Sequence, residues 1–91
     1  MNNKQIAQVF LDIADLLERK KDNWFKIRAY RKAAAAIEEL PVAVEQLVAE
    51  GRLKEIPGVG EAINKKITEL VTTGKLEYLE RLKAEVLKEI K

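Results

Sequence analysis

An all-α fold, a compact bundle of about five short helices, is what this chain predicts, and three observations carry the expectation. Apolar residues recur at helical spacing in successive segments, and no stretch alternates with period two as a half-buried strand would. Glycine or proline punctuates most of the boundaries, and the links are only a few residues long. Ninety-one residues suffice for a single modest core, and neither a linker nor an internal repeat divides them, so residues 1–91 are read as one domain.

Ile6, Val9, Phe10, Ile13, Leu16 and Leu17 share one face and predict a first helix over about Asn3 to Lys20. Asn2, with Gln5 three residues later, resembles a capping box, and Leu11 falls off the apolar face. Asp22 or Asn23 caps a second helix from Trp24 to Leu40. Pro41 is suited to the first turn of a third, which runs through Ala49 and ends at Gly51. After a Gly-rich turn a fourth helix spans Glu61 to Thr73 and is closed by Gly74. Leu76, Leu79, Leu82, Val86 and Ile90 line one face of a fifth.

Composition narrows the chemistry. Hydrophobic residues make up 47% and charged residues 35%, an ordinary balance for a soluble helical domain. No apolar run approaches the ~20 residues of a membrane span, and the N-terminus has no signal-peptide core, so the expected address is cytoplasmic with no membrane partner. The chain has no cysteine, histidine or serine. That removes disulfides, thiolate and imidazole metal sites, and Ser-His or Cys-His nucleophiles, and leaves lysine as the leading nucleophile should the domain be an enzyme. Net charge is only +2, but Arg19 to Lys32 holds seven basic residues against Asp22 alone, whereas Pro41 to Lys91 holds nine of each sign. A local basic patch of that kind matters more for nucleic-acid binding than the total does.

In "EIPGVGEAINKKI", Glu55 to Ile67, two glycines and a proline precede a lysine-bearing helix. Gly58 and Gly60 can take positive φ and leave no Cβ in the way of an approaching group. With Val59 and the start of the next helix they form a concave set of N–H donors suited to a phosphate oxygen. A plain helix–helix turn with glycine caps is the other reading of the same residues.

"LKEIPGVGEAINKKI" followed by "TTGKLEYLERLK" resembles the helix-hairpin-helix of the N-terminal domain of family X DNA polymerases, and "FKIRAYRKAA" resembles the basic helix of that domain. The likeness covers essentially the whole chain and is nearest to the bacterial members. It implies a bundle with one helix-hairpin-helix motif that holds gapped or 5′-phosphorylated DNA. In a vertebrate member the domain also excises 5′-deoxyribose phosphate through a lysine Schiff base. The polymerases are far longer, so no polymerase activity is expected of these residues.

Position by position, the resemblance puts Lys66 at the Schiff-base lysine and Lys26, Tyr30 and Lys54 at the 5′-phosphate pocket. Phe25 stands where the pocket has a histidine, Ala62 where it has a lysine, and Tyr78 where a basic residue is expected. The resemblance implies no required cofactor, but a monovalent cation, Na⁺ or K⁺, on the main-chain carbonyls of Lys54, Ile56 and Val59.

The residues themselves support two roles for Lys66. Partial burial beside Ile63, Ile67 and Leu70 would favour the neutral, nucleophilic amine, whereas pairing with Glu69 would make it ordinary surface. Arg28, Arg31 and Lys32 share one face of the second helix beside Tyr30, which suits a phosphate backbone or equally a solvated face with a half-buried tyrosine. With Lys65, they complete the DNA-contact candidates. A separate group, Leu11, Trp24, Ala35 and Ala36, is apolar where bacterial relatives would carry polar residues or proline. It leaves open a re-surfaced or engineered version of the domain that binds a protein partner.

Overall fold

Asn2 starts the first helix as predicted: its side chain accepts from the Gln5 amide at 2.8 Å while the Gln5 side chain accepts from the Asn2 amide at 2.8 Å. The computed structural model describes residues 1–90, Ile90 by its backbone alone, so the expected place of Ile90 on an apolar face lies outside the described residues. Helix α1 spans Asn3–Arg19. It closes in a Schellman turn in which the Lys21 amide donates to Glu18 O at 3.0 Å and the Asp22 amide to Leu17 O at 2.9 Å. Lys21 takes the left-handed conformation that this turn requires, with φ +55°.

Helix α2, Trp24–Glu39, is capped by Asn23, whose side chain accepts from the Phe25 amide at 2.7 Å. It stops at Leu40, which is extended (φ −64°, ψ 133°) because it precedes proline.

The third helix is shorter than predicted. Helix α3 spans Val44–Ala49 and does not begin at Pro41. The reason lies in α1, where Asn3 Nδ2 donates to Val42 O at 2.8 Å and Asn3 Oδ1 accepts from the Val44 amide at 2.8 Å. Asn3 thus takes the carbonyl that a helix begun at Pro41 would use and caps α3 from another element. Gly51, at φ +66°, then turns the chain into a 3-10 turn, Leu53–Glu55, that the sequence pattern did not announce. Helix α4 covers Glu61–Thr73, and Gly74, at φ +79°, ends it by donating to Leu70 O at 2.9 Å. Helix α5 runs over Glu77–Ile90. The fold is all-α, with no strand among the described residues.

Ile6, Phe10, Ile13 and Leu17 are buried, whereas Val9 and Leu16, read from the spacing as part of the same face, lie half-buried at its edge. Ala7 and Ala14 of α1 and Ala33 and Ala34 of α2 are buried in the same core. Helix α5 lays Leu79, Leu82 and Val86 into the core, and Leu53, Ile56, Ile63 and Ile67 anchor the hairpin to it. Burying the apolar residues on both sides of the glycines fixes the turn in place while its tip stays in water.

Candidate nucleic-acid interface

Only one of the two hairpin glycines uses its conformational freedom. Gly58 sits at φ +74°, but Gly60 is extended (φ −79°, ψ 171°), a conformation open to any residue. Gly60 is the N-cap of α4 and offers no side-chain oxygen. The first intrahelical bond is Asn64 N to Gly60 O at 3.0 Å, so the amides of Glu61, Ala62 and Ile63 have no acceptor within the helix. Free donors at the positive end of a 13-residue helix suit an anion. The exposed carboxylate of Glu61 in the same turn opposes one.

Beside the turn lies an open groove of ≈ 410 Å³ lined by Lys26, Tyr30, Gly58, Ala62, Lys66 and Tyr78, among others. It brings together side chains from α2, the hairpin, α4 and α5. Lys66 is half-exposed, its ammonium 4.9 Å from the centroid of the Tyr78 ring. The anticipated partner Glu69 is engaged elsewhere: its Oε2 accepts from the Glu77 amide at 2.9 Å, at the start of α5. No ion pair to Lys66 forms among the described residues.

Tyr30 is a core residue. Its ring stacks with Phe10 (6.1 Å, 13°) and with Tyr78 (6.1 Å, 22°), and only 6% of the residue is exposed. The stacking agrees with the reading of Tyr30 as a core tyrosine, and the residue also lines the groove. Burial first, and the adjacent Tyr78 phenol second, push its hydroxyl well above the usual phenol range.

The hairpin has a second side. Lys54 and Lys65 line a groove of ≈ 490 Å³ with Val59, Asn64 and Thr68, apart from the groove of Lys26 and Tyr30. Asn64 Oδ1 is buried there without a hydrogen-bond partner.

The basic face of α2 divides. Arg31 turns to α1, pairing with Glu18 and approaching Asp15 at 4.0 Å, with its guanidinium 5.7 Å from the centroid of Trp24. Lys26 stands 3.8 Å from Asp22. Arg28 and Lys32 are exposed and make no ion pair among the described residues. In the apolar group, Trp24 is 54% exposed and Ala35 exposed, whereas Leu11 and Ala36 are half-buried against the core. Phe25, considered in the sequence only as a substitute for histidine, is the most exposed of the large apolar residues at 77%. The sequence also missed Tyr78 as the ring under Lys66, because nothing in local spacing pairs residues on different helices.

A family model described as a helix-hairpin-helix domain matches residues 1–76 of the chain. The DNA polymerase/3′-5′ exonuclease PolX of Bacillus subtilis (strain 168) is 35% identical over 86 residues, covering 94% of this chain and 15% of that protein. DNA polymerase lambda of Arabidopsis thaliana is 31% identical over 83 residues, covering 91% of this chain and 15% of that protein. The chain therefore spans about a seventh of the length of either relative.

Proposed function

Because this chain belongs to the helix-hairpin-helix domain family and is homologous to family X DNA polymerases, we propose that it is a DNA-binding module that grips the phosphate backbone and a 5′-phosphate of gapped DNA. The observation that carries the reading is the groove in which Lys26, Gly58 and Lys66 meet beside the free amides at the start of α4. Lys54 and Lys65, across the hairpin, and Arg28 and Lys32, on α2, extend the cationic track, and Arg31 joins it only by leaving Glu18. The carbonyls of Lys54, Ile56 and Val59 would hold a monovalent cation that bridges the hairpin to a phosphate.

The experiment is a titration of gapped duplex, with and without a 5′-phosphate, across a salt series. Counterion release lowers log K with log salt by about 0.9 per phosphate contacted. A flat salt dependence, or equal affinity for the two ends, would sink the corresponding half of the reading.

Lys66 gives the same groove a chemical role, that of a weak 5′-deoxyribose-phosphate lyase. Its neutral amine would add to C1′ of the ring-opened sugar and expel water to form an imine. Loss of a C2′ proton then breaks the C3′–O bond, releases the phosphate, and hydrolysis returns the lysine. Ala62 leaves the groove without the cation that would seat the 5′-phosphate, and misplacement of reacting groups costs on the order of a hundredfold in rate. Borohydride is expected to trap the domain slowly on abasic 5′-phosphate DNA, and Ala62→Lys is expected to accelerate trapping. Unchanged trapping in Lys66→Ala would leave the hairpin as a backbone grip alone.

The exposure of Trp24 favours a second reading, a protein-binding patch centred on that residue with Leu11, Ala35 and Ala36. A partner of that kind would be lost on Trp24→Ala, while DNA affinity would be unchanged.

A further inference from the structure

Lys66 stands on a divide. With Ala62 and Tyr78 it lines both the groove of Lys26 and Gly58 and a second open groove, of ≈ 490 Å³, built from residues of α4 and α5. The two sides differ in charge. No carboxylate lines the first among the described residues, whereas Glu61, Glu69 and Glu77 line the second. A lysine carries its ammonium on a flexible four-carbon stem, so a half-exposed amine at this position has three acidic side chains to swing toward. It pairs with none of them among the described residues, and lies instead 4.9 Å from the centroid of the Tyr78 ring. That ring is a firm seat. Tyr78 stacks on Tyr30 and Tyr30 on the fully buried Phe10, each pair at 6.1 Å, so its place is fixed by packing across three helices. A ring attracts the cation but, unlike a carboxylate, closes no salt bridge that a substrate must break.

We propose that Tyr78 is a positioning residue for Lys66: its ring keeps the amine out of ion pairs with the acidic groove and available to an aldehyde in the groove of Lys26. The proposal rests on the reading of Lys66 as the imine-forming lysine and adds the residue that sets where its nitrogen stands. Tyr78 acts through Lys66 and forms no bond to the sugar.

The test follows borohydride trapping on abasic 5′-phosphate DNA, in which the Lys66 nitrogen bonds to C1′, the carbonyl oxygen leaves as water, and hydride reduces the imine. The wild type, Tyr78→Leu, Tyr78→Phe and Lys66→Ala are compared across DNA concentrations. Tyr78→Leu is expected to lower the rate at saturating DNA on the order of tenfold and to leave the half-saturating concentration unchanged, because the amine and not the binding surface is displaced. Tyr78→Phe keeps the ring and is expected to recover most of the rate. The Lys66 Cε proton resonances report the seating without DNA: the ring current moves them upfield in the wild type and Tyr78→Phe, and the displacement is lost in Tyr78→Leu. Trapping through Lys66 that is as fast or faster in Tyr78→Leu, or slowed equally by leucine and phenylalanine, overturns the proposal and leaves the lyase reading standing. A change confined to the half-saturating concentration makes Tyr78 a DNA contact and overturns it too, as do wild-type resonances without the upfield displacement. If the wild type does not trap, or Lys66→Ala traps as fast, the lyase reading fails and takes this proposal with it. Should Tyr78→Leu not fold, Tyr78→Met takes its place.

Discussion

Lys21 holds a backbone conformation that its side chain disfavours. At φ +55° it does at the end of α1 what Gly51 does after α3 and Gly74 after α4. Lys21→Gly removes the clash of Cβ with the backbone at the cost of a freer unfolded chain, and is expected to stabilise the domain by about 0.5–1 kcal/mol in urea unfolding. Glu61 opposes function in a comparable way. Its carboxylate favours the start of α4 in the free protein but repels a phosphate placed there, so Glu61→Gln is expected to tighten DNA binding several-fold at low salt, with the gain fading as salt rises. At this scale the sequence was informative wherever chemistry is local. The turn at Gly58 could be picked from the residues around it, whereas Lys26 and Lys66 were singled out through the resemblance to the polymerase domain. Tyr30 under Phe10 and Tyr78, Lys32 across Gly58 and Glu69 at the start of α5 could not, since each depends on which helix faces which.

The elements are held by polar ties between neighbours that propensity does not reveal. Asn3 is the clearest, a residue inside α1 that caps α3, and for that reason the proline signal at Pro41 pointed to a start that the helix does not use. Asn3→Ala is expected to cost about 1 kcal/mol and to speed hydrogen exchange at the Val44 amide, while the α1 capping box is left intact. The junction from α3 to the hairpin is tied by Arg52, which bonds Glu50 at 2.8 Å and Glu55 at 2.7 and 2.8 Å. The guanidinium holds both carboxyls below their ordinary value of 4.5. A carboxyl whose folded value lies below its unfolded value stabilises the fold above that unfolded value, and the contribution is lost as pH falls through the folded one. Acid titration is therefore expected to loosen this junction only below about pH 4.5, and Arg52→Gln to remove that step from the amide shifts of residues 50–56. The spans of α1 and α2 were legible because each carries an apolar face and its own side-chain cap, and that of α4 because glycines bound its apolar face at both ends. The start of α3 was not, because its cap comes from elsewhere in the chain.

The whole domain separates stability from binding. Its core holds no buried polar or charged residue among the described residues, and its ion pairs lie at the surface. Hydrophobic burial is little screened by salt, whereas a cationic track on a polyanion is strongly screened. Between low and moderate salt the midpoint of thermal unfolding is expected to move by only a few degrees, while DNA affinity falls by orders of magnitude. A midpoint that follows affinity downward would mean that the surface pairs carry the fold. The all-α architecture was readable from periodicity, and the helix-hairpin-helix from the resemblance carried by the residues around its glycines, but the division of its cations into two grooves appears only once the helices are packed. Packing also gives the molecule an internal clock. Phe10, Tyr30 and Tyr78 stack one ring from each of α1, α2 and α5, so the Tyr30 ring can turn over only when those helices briefly part. The Tyr30 flip rate, read from exchange of its ring carbons, is therefore expected to count those partings.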